Sequence, residues 1–343
     1  MLEKLKPWWI TPLVGAAGGF IASLVGWPLP WMIGALLGVV TVRCLGSLTV
    51  EIPNGRKLGQ WIIASGIGLH FNRAVLEQIV DALFIILSGT LITVAASALG
   101  VWILRRGGHD RATAYFASMP GGANEMVNLG RHNGAMLAYV AAGQSLRMLL
   151  VLLSVPAAFK LLFANTMQAP TLTAQVDWIW LAIIMGCGAV LAVLFQRWRL
   201  PNAWQLGALL VSITISTAFD LHIGLPPGAG SFGQWLIGSA LGCYFDRTFF
   251  RKAPRFMLRT ILATALATLM TIPVAWALSW ISGLDVRSLV LGMVPGGIAE
   301  MSLTAEALHL LVPLVTAMQV LRLLIVLFLA RPVFEFWQRR ASS

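Results

Sequence analysis

The chain alternates long apolar runs with short polar stretches. "LFIILSGTLITVAASALGVWIL" (83–104) and "LRMLLVLLSVPAAFKLLF" (146–163) reach or exceed the ~18–20 residues that cross a hydrocarbon core as a helix. The pattern predicts five spans in each half. They are about 8–26, 29–46, 58–72, 83–104 and 135–160, then about 178–196, 201–218, 231–246, 258–281 and 312–333. Between the fourth and fifth span of each half the apolar pattern is broken by "SMPGGANEM" (118–126) or "MVPGGIAEM" (293–301). Proline drives the residue before it out of the α region, and glycine frees the backbone to turn. A new helix is expected to begin at Ala123 and at Ile298, with Glu125 or Glu300 in its first turn.

These breaks belong to an internal repeat. A shift of about 173–175 residues superposes "WPLPWMIGALL" (27–37) on "LPNAWQLGALL" (200–210), and "GQWIIASGIGLHFNR" (59–73) on "GQWLIGSALGCYFDR" (233–247). It also superposes "PGGANEM" (120–126) on "PGGIAEM" (295–301), each followed by a Gln-x-x-Arg: Gln144 and Arg147, Gln319 and Arg322. Constant order over three blocks marks a duplication. The organisation read from it is a first membrane repeat (1–163), a polar linker (164–177) and a second membrane repeat (178–343).

Charge then sets the topology. If each Pro-Gly-Gly segment dips in and returns, each half has five crossings, and an odd number inverts the second half. Of the 24 Lys and Arg residues, Arg73, Lys160 and Arg287 then face outward, and Arg147 and Arg322 lie within spans. The other 19 are cytoplasmic, as positive-inside sorting requires. Full crossing would put Arg247, Arg251, Lys252, Arg255 and Arg259 outside. The fold class expected is therefore an all-α polytopic membrane protein of about ten transmembrane helices. They form two inverted five-helix repeats, each with a broken or re-entrant Pro-Gly-Gly segment. Both termini are expected in the cytoplasm and the chain in the inner membrane. A lysine-bearing apolar start resembles a signal peptide, but its counterpart inside the chain argues against cleavage.

Composition agrees: 58% of the residues are hydrophobic, 11% are charged, and the mean hydropathy is +0.82. The net charge of +11 sits in short inter-span stretches and not on a basic, aromatic-interleaved surface, so direct nucleic-acid binding is not expected. Cys44, Cys187 and Cys243 form no CxxC. His70, His109, His132, His222 and His309 include no pair at helical spacing, so no metal and no cofactor are expected. There is no GxxxxGK[ST] and no Ser-His-Asp grouping, so an enzyme is not expected.

Inverted repeats with interrupted helices are a transporter architecture, and paired Gly/Pro-broken segments point to the binding site. The candidate residues for substrate binding or coupling are Pro120, Gly121, Gly122, Asn124, Glu125, Gln144 and Arg147, with Pro295, Gly296, Gly297, Glu300, Gln319 and Arg322. Two roles stand open for the acids: capping their own helices, or taking part in a site, since intramembrane acids are costly. For the arginines the alternatives are snorkelling, a Glu–Arg–Gln network and substrate contact. Asn124 and Asn128 are polar where the second break has Ala299 and Leu303, so any polar lining is asymmetric. Asn72 and Asp246, before arginines at span ends, read as caps. The partners expected are membrane lipid and a small solute, with an anion and a homodimer as open alternatives.

At these motifs the chain resembles the AbrB family of bacterial inner-membrane proteins, over about residues 10–335. The resemblance implies two copies of a membrane-duplication domain, each with a Pro-Gly-Gly segment and a later Gln-x-x-Arg. It also implies a proposed role in regulating expression of another gene. Some family members carry an old ammonia monooxygenase label, which the scattered histidines do not support. Three functions therefore stand in order: a secondary-transporter-like protein, a membrane regulator or sensor without transport, and an oxidase.

Overall fold

The computed structural model describes residues 9–46, 49–163, 175–247, 249 and 253–340. Most of the expected linker, residues 164–174, lies outside them, as do Trp8, Arg251 and Lys252. The described residues form helices throughout, with one isolated β-bridge between Gln175 and Ile223. In chain order the helices are α1 (Ile10–Leu24), α2 (Pro30–Cys44), α3 (Gly55–Gly68), α4 (Arg73–Asp81) and α5 (Leu83–Arg106). Next come α6 (Arg111–Ser118), α7 (Ala123–His132), α8 (Leu137–Phe163), α9 (Trp178–Arg197) and α10 (Ala203–Ala218). The last are α11 (Ala229–Gly242), α12 (Pro254–Ser282), α13 (Val286–Met293), α14 (Ile298–Ala307) and α15 (Val312–Arg340).

Every expected span coincides with a helix. Five of them, α5, α8, α9, α12 and α15, are long and apolar enough to cross a membrane, and α1, α2 and α10 are shorter apolar helices. The GQW helices α3 and α11 have only 14 residues each. Helix α4 was not expected. Its sequence RAVLEQIVD puts Arg73, Glu77 and Asp81 on one stripe, and none of its residues is buried. Asn72 caps it, accepting from Val75 N at 2.9 Å; Asp246 accepts from Phe249 N at 2.6 Å.

The chain divides into two compact units, and neither is a sequence half. The first comprises Met1–Val80, Pro156–Phe250 and Ser302–Pro313. In it α1 packs on α2, α9 on α10, and the two GQW helices are exchanged: α3 lies on α10 and α9, while α11 lies on α2 and α1. Small residues permit this. A Cβ on Gly18 would strike the Gly34 carbonyl, and one on Gly207 would stand 2.7 Å from Ala192 Cα, so the helices touch backbone to backbone. The tryptophans of the repeated motif fasten the exchange. Trp61 Nε1 donates to Met185 O at 3.1 Å and Trp235 Nε1 to Pro12 O at 3.2 Å, each reaching the first helix of the other half.

The second unit comprises Asp81–Val155, Arg251–Met301 and Leu314–Ser343, and it carries both Pro-Gly-Gly breaks. Here α12 packs on α5 and α13, and α5 packs on α6. A buried cluster including Leu104, Phe116, Met126, Val140, Phe256 and Phe334 surrounds the first break. Tyr115 and Phe116 stack on Phe334 with ring centroids 5.2 and 5.1 Å apart, and Tyr115 Oη donates to Ala330 O at 2.9 Å. That bond satisfies the phenol and ties α6 to α15.

Candidate functional site

Each break is built the same way up to its proline, and the two differ at the second glycine, where Gly122 but not Gly297 has a positive φ. Helix α6 starts on Asp110, whose Oδ1 accepts from Thr113 N at 2.8 Å; α13 starts on Asp285, whose Oδ2 accepts from Ser288 N at 2.9 Å. Both helices have eight residues and both end in an extended residue imposed by the following proline: Met119 at φ −65°, ψ 130° and Val294 at φ −58°, ψ 136°. Gly122, at φ +89° and ψ 138°, is the N-cap of α7, a conformation only glycine adopts without strain. Gly121 and Gly296 make room for methionines five residues on: a Cβ would stand 2.6 Å from Met126 Cε or Met301 Cγ.

A helix interrupted inside a protein leaves its last carbonyls without amide partners. Away from water these must be satisfied by other groups. The Gln-x-x-Arg pairs do this. Gln144 Nε2 donates to Phe116 O and Met119 O, both at 2.7 Å, and Arg147 Nη1 donates to Met119 O at 3.0 Å. Gln319 Nε2 donates to Leu291 O at 3.3 Å and to Gly292 O and Val294 O at 3.1 Å, and Arg322 Nη1 donates to Val294 O at 2.7 Å. The carbonyls of Phe116 and Leu291, and of Met119 and Val294, are each 175 residues apart, the offset of the repeat. Gln144 and Gln319 are wholly buried, and Arg147 and Arg322 are 6% and 4% exposed.

The two copies then differ. Arg147 Nη2 donates to Gln144 Oε1 at 2.9 Å, whereas Arg322 Nη2 turns to Gly296 O and leaves Gln319 Oε1 without a partner. Of the Glu–Arg–Gln network expected from the sequence, the Gln–Arg bond is therefore made in the first copy only.

The acids sit at the third helical position, where a carboxylate reaches back to its N-cap. A Cβ on Gly122 would lie 2.6 Å from Glu125 Oε2, and one on Gly297 would collide with Glu300 Oε2. Both carboxylates thus fold over the glycine that begins their helix, at its positive end. Glu300 is 8% exposed and its charge reaches Arg322, which also feels Arg147. Glu125 is half-buried, with Asn124 and Asn128 exposed beside it.

A cavity opens in the second unit where the breaks approach each other. It holds about 520 Å³ of atom-free space including its mouth. Of the candidate residues it is lined by Pro120, Arg147 and Pro295. Glu125, Gln144, Glu300, Gln319 and Arg322 are not among its lining residues; Gln144, Gln319 and Arg322 hold the broken backbone. Thr93, Ser97, Ser118, Thr260 and Thr264 also line it, and none was singled out from the sequence. The signal was present: Thr93 and Ser97, and Thr260 and Thr264, are polar pairs four residues apart in otherwise apolar helices, each pair on one face.

Outside the spans, two groups near the breaks have shifted acidities. His109 is held below the ordinary imidazole range by burial first, then by Arg259, with Asp110 acting the other way. Burial pushes Asp285 up, but hydrogen bonds from Ser288 and Arg287 outweigh it, and the carboxyl lies below its usual range.

Known proteins share this sequence over nearly its whole length. A Bacillus subtilis protein named "Uncharacterized protein YhjN" is 27% identical, the alignment covering 96% of this chain and 93% of that protein. The Escherichia coli protein named "Putative regulator AbrB" is 24% identical, with 93% and 92% covered. A family model described as "Transition state regulatory protein AbrB" matches residues 31–338, from the start of α2 to the end of α15 and through both breaks. The chain belongs to the AbrB family.

Proposed function

We propose that this protein is a secondary-transporter-like membrane protein that binds a small solute in the cavity where its two broken helices meet. The observation that carries this reading is the pair of breaks, each with its carbonyls held by a buried Gln-x-x-Arg. Irregular backbone at membrane depth is tolerated where it is buried in protein or lines a cavity, and here two such stretches line one. In this reading the chain has ten spans in two inverted repeats within the inner membrane, with both termini cytoplasmic. The short GQW helices count as spans, and each Pro-Gly-Gly segment returns to the side it entered from. The charge distribution supports that arrangement. The exchanged packing of α3 and α11 supports the duplication. Neither a cofactor nor an enzymatic step is needed.

A second reading, favoured by the name of the Escherichia coli relative, is a membrane regulator that binds the same solute without moving it. The two part in one experiment. Uptake and export of a broad metabolite panel are compared between a deletion strain and an overexpressing strain, and each hit is tested with purified protein in proteoliposomes. The transport reading expects protein-dependent flux of at least one solute. Solute binding without flux, together with altered expression of other genes in the deletion strain, would leave the regulator.

A further inference from the structure

The cavity's hydrogen-bonding groups are not evenly supplied, and the imbalance specifies a ligand. Thr93 Oγ1 donates to Gly89 O at 2.9 Å, Ser97 Oγ to Val94 O at 2.6 Å, Thr260 Oγ1 to Phe256 O at 3.0 Å and Thr264 Oγ1 to Thr260 O at 2.8 Å. Each hydroxyl has spent its single proton on its own helix and can offer only lone pairs. Two lining groups are the reverse. Arg147, 94% buried, uses Nη1 and Nη2 on protein acceptors, but its Nε–H has no partner. Ser118 Oγ is also buried without a partner, admitted by Gly100, where a Cβ would stand 3.0 Å from it. A buried guanidinium donor left unpaired is unusual in a native structure and calls for an acceptor from elsewhere. The unpaired donor belongs to a guanidinium, whose strongest hydrogen-bond partners are anionic acceptors such as a carboxylate; Arg322 lies within electrostatic reach, its charge offset by Glu300.

We infer that the cavity takes a small hydroxy- or aminocarboxylate. Its carboxylate is held by Arg147 Nε and Ser118 Oγ, and its own O–H or N–H donates to the hydroxyl oxygens of α5 and α12. The remaining lining, Ala96, Ala263 and Ala267 among it, suits a carbon skeleton of a few atoms. The inference deepens the solute-binding reading above and rests on it for the choice of cavity.

The test is thermal unfolding of the full-length protein in detergent micelles with lactate, serine, propionate, lactamide or sulfate. Lactate or serine is expected to raise Tm saturably. Propionate, which lacks the second donor, should act about tenfold more weakly, and lactamide and sulfate should not act. Ser118→Ala should weaken the response about tenfold, the worth of one hydrogen bond to a charged group. Its ligand-free Tm should not fall below the wild-type value, because Ser118 Oγ has no protein partner to lose. Arg147→Lys keeps a cation but has no Nε–H, and should lose the response. Even if that variant is unstable, the serine variant decides. No response to lactate or serine, an equal response to propionate or sulfate, or an unchanged response in Ser118→Ala would overturn the inference. Binding of lactate without flux in proteoliposomes would refute transport and leave the ligand class standing. Flux of a cation or a neutral solute would do the opposite.

Discussion

Replacing the two buried glutamines by leucine should not have equal effects, although the repeat makes them equivalent. Gln144→Leu removes the donor to Phe116 O and strands Arg147 Nη2, which loses Gln144 Oε1; Met119 O keeps its bond from Arg147. A buried unsatisfied neutral group costs about 1–3 kcal/mol and a charged donor more, so the loss is roughly 3–6 kcal/mol. Gln319→Leu strands Leu291 O and Gly292 O, roughly 2–6 kcal/mol, but it also deletes the unpartnered Gln319 Oε1 and relieves about 1–3 kcal/mol. Arg322 keeps both of its acceptors, Val294 O and Gly296 O. The apolar gain from leucine is common to both variants and cancels. Gln144→Leu should therefore be the less stable by about 2 kcal/mol, a gap of several degrees at about 2–4 °C per kcal/mol. Unfolding of such a protein is often irreversible, so half-lives at one fixed temperature should be compared alongside melting curves. Equal stabilities, or a less stable Gln319→Leu, would refute the assignment of these side chains as partners of the broken backbone.

Three further outcomes follow from the same geometry. Gly122→Ala forces a side chain into φ +89° against Glu125 and should cost about 1–3 kcal/mol, read as a lower Tm; a neutral effect would mean the break can relax without glycine. His109 binds its proton more weakly folded than unfolded, so stability should fall as pH drops below about 6.5 and level off below the folded pKa; His109→Gln should flatten that dependence, and an unchanged profile would remove the histidine as its source. Reporter fusions after Arg106 should be cytoplasmic and fusions near Asp285 periplasmic; the same side for both would end the inverted-repeat topology.

The positions of the long apolar helices were legible because hydropathy marks them, and the breaks because Pro-Gly-Gly acts on the backbone whatever surrounds it. The offset of about 175 residues anticipated which side chains would occupy equivalent places. What the sequence withheld was partner identity. Arg147 looked equally suited to a structural Glu–Arg–Gln network and to a solute. Only the fold shows that the donors of Gln144 and Arg147 meet carbonyls 25–28 residues earlier in the chain. Ser118 was illegible for a related reason: its repeat counterpart is Met293, so symmetry drew attention away from it. Helix α4 was missed because nine residues with three charges do not register as a span, although their spacing is amphipathic.

The exchange of the GQW helices has a consequence for biosynthesis. Trp61 waits for Met185, and Gly68 of α3 waits for Ser212 of α10, a helix that ends about 150 residues after α3 does. At ~5–20 residues per second, α3 waits roughly 8–30 s before its partner has been made. During that interval α1 can pack on α2 and Gln144 and Arg147 can hold the first break, but α3 still lacks the helices it packs against. A ribosome that stalls between Phe163 and Trp178 leaves in the membrane a fragment with no native partner for its third helix.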